Sequence, residues 1–321
     1  ADPLIFEMQH AIGLLPESHA KRPILLDRLE HHRKWVKSPP GELDGWELLD
    51  EFKALEETQE LNDATVDQFV RKYGALNLPV PSKLHSSFIR RFLANHKTAP
   101  AACSAFLQDH GPDVFLPDDF QFHQFKGRKY PPLVLRVARF LADRLRIGKA
   151  KECDWITPFL EKGAAISPEL KLLQGLYRLA LVHDDKTKCR HLATQMVRQD
   201  PNWFKHWDLL ADAITDDPPS KLACLSAALL CPVSEPKYLS RAHKKWLVAA
   251  QSMVSALPVA DLLPRIRKAR MDFVNSETIL GDLSQLAAPI RNSIFEDMPW
   301  IPAVIFSKGT RKKGALEIAL V

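Results

Sequence analysis

The side chains able to do chemistry stand beside one another in this chain rather than at converging spacings. His31 and His32 are adjacent and flanked by Glu30, Arg33 and Lys34. Neighbours on a helix diverge by about 100°, so these imidazoles cannot close on one ion and belong to a solvated face. The acidic pairs Asp118-Asp119, Asp184-Asp185 and Asp216-Asp217 lie in stretches of turn composition, where Asp serves turns and helix caps. Two-metal phosphoryl chemistry needs carboxylates and a lysine brought together from separate elements. These spacings do not supply them.

The five cysteines, Cys103, Cys153, Cys189, Cys224 and Cys231, are odd in number, lack Cys-x-x-Cys spacing and have apolar neighbours. That is the pattern of buried thiols in a reducing compartment. Cys189 and His191 point to different faces of a helix, and no second ligand pair follows at zinc-finger distance. Cys224 and Cys231, seven residues apart, share a helix face as core. Gly-x-Ser-x-Gly, the phosphate-loop signature, Gly-x-Gly-x-x-Gly and His-Glu-x-x-His are missing. With 12 glycines against 24 prolines the chain has few places for such loops, which need positive φ or close backbone approach. The expectation is a protein with no catalytic set, no metal and no cofactor.

Charge excludes little. Lys and Arg number 44 against 39 acidic residues, and the basic residues are scattered from Arg22 to Lys313, so composition does not mark nucleic-acid binding. No run approaches the roughly 18 apolar residues of a membrane span, and the segment from Ala1 to Glu7 lacks the basic and apolar regions of a signal peptide. A cytoplasmic location away from membranes is expected. The start without Met and the end at Val321 inside an apolar run point to a piece of a longer chain.

Periodicity and punctuation give a mainly α chain in five zones. Residues 1–78 are a helical region, with Trp46, Leu49, Phe52 and Leu55 recurring at helical spacing. Residues 79–132 hold one helix, capped by Ser82 and carrying Leu84, Phe88, Ile89 and Phe92, followed by an aromatic connector. Phe115, Phe120, Phe122, Phe125 and Tyr130 crowd that connector among four prolines. It is read as a long loop held down by aromatics packed on neighbouring helices; a stacking platform for bases is the alternative.

Residues 133–250 repeat. Pro168, Pro201 and Pro232, separated by 33 and 31 residues, each follow a short helical stretch. First helices carry Leu133, Val137, Leu141 and Leu145, then Leu172, Leu176, Tyr177 and Ala180, then Trp203, Trp207, Leu210 and Ala211. Second helices carry Phe159 and Leu160, then Leu192 and Ala193, then Ala223, Ala227 and Leu230. A helix pair cannot hide such stripes alone, so neighbours must stack. A fourth pair follows from Tyr238, and residues 251–298 supply C-terminal helices, with a basic outer face from Leu262 to Arg270. Residues 299–321 read as strand, basic turn and strand, the start of a small β module.

The repeating zone, about 120 of 321 residues, resembles the tetratricopeptide-repeat family. The likeness is best where Trp207, Leu210-Ala211, Ala223, Ala227 and Pro232 follow the family's large-small pattern, and poorest in the first unit. It implies a helical-repeat solenoid. The order of zones, with Asp118-Asp119-Phe120 and Lys129-Tyr130-Pro131 in the connector, also resembles bacterial repeat proteins associated with tellurite-resistance and stress-response operons, in which the terminal β module looks like a cold-shock-type barrel.

Two uses are expected. The first is a non-catalytic scaffold that holds an extended segment of a partner protein in the groove of the repeats. Its contacts would be Arg136, Arg139, Gln174, Arg178, Lys205 and His206, whose basic bias suits an acidic or carboxylate-bearing ligand. The second is nucleic-acid binding by the C-terminal basic turn, with Lys308, Arg311, Lys312 and Lys313 on phosphates and the repeats as a docking platform.

Overall fold

The computed structural model describes residues 3–36, 42–58, 60–76, 78–95, 100–125, 127–147 and 153–297. The expected C-terminal β module, with Lys308, Arg311, Lys312 and Lys313, lies outside them. The described chain is mainly α, with one two-stranded sheet, and divides at Leu141/Ala142 into two compact units.

The first unit contains α1 (Pro3–Leu14), α2 (Arg22–Val36), α3 (Glu42–Glu57), α4 (Asp63–Ala75), α5 (Lys83–Ala94) and α6 (Pro100–His110). Short 3-10 turns follow at Pro112–Val114 and Pro117–Phe120, then β1 (His123–Phe125), β2 (Arg128–Tyr130) and α7 (Leu133–Ile147), whose last turns pass into the second unit. Its core is a cluster of edge-to-face rings. Phe52 meets Phe69 at 5.0 Å and Phe92 at 5.5 Å, and Phe92 meets Phe106 at 5.0 Å, joining α3, α4, α5 and α6. Helices α3 and α5 come together at Gly45, where a Cβ would lie 2.2 Å from Leu84 Cδ2; here glycine serves close approach within a helix rather than a turn. The helix starts follow capping chemistry. Asn62 Oδ1 accepts from the Ala64 and Thr65 amides while Thr65 Oγ1 accepts from the Asn62 amide. Ser82 Oγ accepts from the His85 amide, as its position predicts.

The connector departs from the single-loop reading. Phe115 is buried and meets Phe120 edge-on, as a pinned loop requires. Phe122 and Tyr130 are exposed, on a hairpin that pairs His123 with Tyr130, Gln124 with Lys129 and Phe125 with Arg128. A hairpin of that register needs a two-residue turn, and Gly127 at φ +73° supplies the left-handed backbone. The sequence concealed it because strands of three residues are too short to show alternation.

The second unit contains α8 (Thr157–Ile166), α9 (Leu170–Val182), α10 (Lys186–Gln199), α11 (Phe204–Ala213), α12 (Pro218–Leu230), α13 (Ser240–Gln251), α14 (Leu257–Ala269) and α15 (Glu277–Phe295). From α8 to α15 each helix packs on the next, and α15 also returns along α12. Pro168 and Pro201 stand in the turns before α9 and α11, and Pro232 follows α12. Asp185 and Asp217 cap α10 and α12 through the Lys188 and Ser220 amides. The return of α15 is fixed by Arg198 of α10, which donates to the Ile294 carbonyl at 2.9 Å and to Asp297 at 2.7 Å. Four cysteines are buried as expected, but Cys153 is only half-buried, at the head of a 3-10 turn. Among the described residues no helix is long and apolar enough to cross a membrane.

Candidate functional site

Helices α9, α11 and α13 bring together the densest polar cluster of the second unit. Asp208 and Asp212 are one turn apart on α11 and therefore share a face; Arg241 and Lys245 stand in the same relation on α13. Lys245 Nζ lies 2.6 Å from Asp208 Oδ1 and 2.7 Å from each oxygen of Asp212. Arg241 reaches both carboxylates at 3.5 Å from a more exposed position. Asp208 is only 7% exposed, so it depends on Lys245 for its counter-charge. Lys245→Met is expected to lower the stability of this unit by about 1–3 kcal/mol, read from urea denaturation, because a buried carboxylate loses its main partner.

From α9, the Tyr177 hydroxyl donates to the Leu209 carbonyl at 2.9 Å. Burial pushes its phenol up, helped by the carboxylates of Asp212 and Asp208 and opposed by Arg241, so it stays a neutral donor. Gln174 Nε2 lies 3.5 Å from His206 Nε2, and His206 Nδ1 lies 3.2 Å from the Asp200 carbonyl. A carbonyl only accepts, so Nδ1 carries the proton and Nε2 faces the Gln174 amide as an acceptor. That tautomer is neutral, which agrees with burial pushing the His206 pKa down.

The expected partner-binding residues are thus arranged unequally. Gln174 and His206 are in contact, yet His206 is only 1% exposed and braces α11 from inside. Trp203, read as part of the core stripe, is exposed, because α11 begins at Phe204 and leaves Trp203 outside the helical register. Arg178 and Lys205 are exposed; Lys205 Nζ sits 5.7 Å from the Trp203 ring centre, and Arg178 forms no ion pair among the described residues. In the first unit Arg136 and Arg139 are half-buried on α7, and burial, with the charge of Arg90, pushes the Arg136 pKa down.

Sequence reading missed Asp208, Asp212, Arg241 and Lys245. The one-turn spacing within each pair was visible, but no local signal joins Asp212 to Lys245, 33 residues further on. Residues 176–267 match the family model described as a domain of unknown function (DUF7017). The matched segment runs from within α9 to within α14 and includes Tyr177, Arg178, all of α11 and all of α13. No curated protein and no solved structure matches the chain.

In the first unit Asp119, buried between α5 and the second 3-10 turn, accepts from Ser86 Oγ, from Arg90 at 2.9 Å and from the Leu116 amide at 3.0 Å. Ser82 Oγ lies 2.7 Å from His85 Nδ1. The Ser–His and Ser–Asp contacts involve different serines and do not form one proton-relay chain. They tie α5 to the turn and to its own cap. A cleft of about 370 Å³ between α12, α14 and α15 is apolar, with Arg190 its one charged lining residue, and lacks the convergent donors and acceptors of a reaction site. Among the described residues no His, Cys, Asp and Glu group is placed to hold a metal ion.

Proposed function

We propose that the second unit is a non-catalytic protein-interaction scaffold that holds an acidic segment of a partner against α9, α11 and α13. In this reading the helix pairs stack as a tetratricopeptide-like solenoid, and the chain serves a cytoplasmic assembly, such as one in a bacterial stress response. The observation that carries it is charge bookkeeping within the cluster. Lys245 engages both carboxylates of α11 at 2.6–2.7 Å and Arg241 reaches them at 3.5 Å, so two cations offset the two negative charges of this face internally. Arg178, Lys205 and Lys244 remain exposed without ion-pair partners among the described residues. Unpaired guanidinium and ammonium groups beside a neutralised pair make a surface that attracts carboxylates through charge-assisted hydrogen bonds. Arg136 and Arg139 are assigned the same role in the first unit, and His206 acts by orienting Gln174.

The test is fluorescence anisotropy with a labelled Glu-rich peptide. The variant Arg178→Glu/Lys205→Glu is expected to bind at least tenfold more weakly, about 1.4 kcal/mol, with an unchanged melting temperature since both side chains are exposed. Binding equal to that of the parent protein would remove the proposal. Rim charges act mainly on association rate, so the loss should shrink as salt rises from 50 to 300 mM.

A further inference from the structure

The described side chains of the hairpin of β1 and β2 stay out of the core. His123, Gln124, Arg128, Lys129 and Tyr130 are all exposed, as is Phe122 just before it. Phe122 is 46% and Tyr130 45% exposed, whereas Phe115 and Phe120 of the same connector meet ring to ring. A two-stranded hairpin is marginal alone, and leaving two large rings in water forgoes burial that the rest of this unit exploits.

Its register specifies the chemistry on each face. Directly paired residues in an antiparallel ladder share a face. His123 and Tyr130 therefore form a cross-strand ring pair on one face, with Arg128 two residues before Tyr130 on the same side. Gln124 and Lys129 occupy the other face, where Lys129 Nζ lies 4.2 Å from the Phe122 ring centre. Each face thus presents an aromatic surface beside a cation. Neither Arg128 nor Lys129 forms an ion pair among the described residues, so no carboxylate among those residues competes for them.

We propose that this hairpin binds single-stranded nucleic acid without reading base sequence. Bases stack on Tyr130 with His123 and on the free side of Phe122, while Arg128 and Lys129 meet the phosphates. Alternating rings and cations suit a polymer that alternates π-faces and negative charge. An acidic peptide would use the cations and leave the rings idle. The hairpin belongs to the first unit, and α9, α11 and α13 belong to the second.

The test uses the whole chain with fluorescein-labelled dT12 and rU12, by anisotropy between 50 and 200 mM KCl. Saturable binding of at least one oligomer is expected, and a preference for either assigns the natural source as DNA or RNA. Arg128→Glu/Lys129→Glu should remove about 1.4 from the log-log salt slope, the value for two single-strand phosphate contacts. Phe122→Ala/Tyr130→Ala should weaken binding by roughly twenty-five-fold or more, since each of the two lost base stacks is worth roughly fivefold to a hundredfold. These exposed substitutions should leave the circular-dichroism melt unchanged; if they do not, Arg128→Gln/Lys129→Gln gives the same reading with less perturbation. The idea is overturned by no binding of either oligomer, or by binding that both hairpin variants keep. It is also overturned if only neutralising Lys308, Arg311, Lys312 and Lys313 abolishes binding, or if the aromatic variant loses poly-Glu as strongly as dT12. Peptide binding lost in Arg178→Glu/Lys205→Glu is read separately, so the two proposals fail independently.

Discussion

Trp246→Ala is expected to lower the stability of the second unit by about 3–5 kcal/mol. The indole is fully enclosed, at 0% exposure, where α13 meets α12, and its Nε1–H donates to Ser226 Oγ at 2.9 Å. Ser226 in turn donates to the Leu222 carbonyl one turn back at 2.9 Å. Truncation empties the largest single volume between these helices, and dense packing elsewhere limits how far they can collapse into it. The Ser226 hydroxyl keeps its carbonyl partner, so the cost is mainly the cavity and not an orphaned polar group. Trp246→Phe, which keeps most of the volume, should cost clearly less, about 1–2 kcal/mol. For a unit of this size the alanine variant should melt roughly 10 °C or more below the parent protein. A melting curve within two or three degrees of the parent would show that α13 is not held in the cooperative core. The charge cluster would suffer with the packing, because Lys245 is the residue next to Trp246 and reaches Asp208 and Asp212 from α13.

What the sequence could and could not disclose follows from the range of each interaction. The stripe Leu172, Leu176, Tyr177 and Ala180 was legible because burial of one helix face repeats every 3.6 residues, and all four are buried. The caps at Ser82, Asp185 and Asp217 were legible because a cap bonds an amide only three residues ahead. Trp203 and His206 exchange inside and outside because moving the helix start by one residue shifts a side chain by about 100°, and nothing local fixed that start. The pairing of Lys245 with Asp208 joins residues 37 apart, and Arg198 with Asp297 joins residues 99 apart. No short-range rule links such partners, so the cluster and the return of α15 along α12 emerge only with the fold. The hairpin escaped for the opposite reason: its pairing is local, but strands of three residues are too short to carry a period-two signal.

Acid should weaken the first unit through His85. This imidazole is buried between Tyr73 and His110, whose rings lie 5.3 and 5.2 Å away, with Ser82 Oγ at 2.7 Å from Nδ1. Burial, with a smaller contribution from His110, pushes its pKa down from 6.5 to about 4. The folded state therefore keeps His85 neutral while the unfolded chain takes up a proton near pH 6.5. Between pH 6.5 and 4 the unfolded state binds more protons, so stability falls with pH by up to about 1.4 kcal/mol per unit, levelling off below pH 4. The total attributable to this side chain is about 2–3 kcal/mol, fully present above pH 6.5. His206 and His243 of the second unit, both pushed down by burial, act in the same direction. His85→Gln isolates the effect, since the amide does not titrate. Urea denaturation at pH 7 and pH 4.5 should show a stability loss at least 1.5 kcal/mol smaller, roughly, in His85→Gln than in the parent protein. Parallel losses in the two would mean that His85 takes its proton near its ordinary pKa, and that the ring cluster around Tyr73 admits water more freely than its packing indicates.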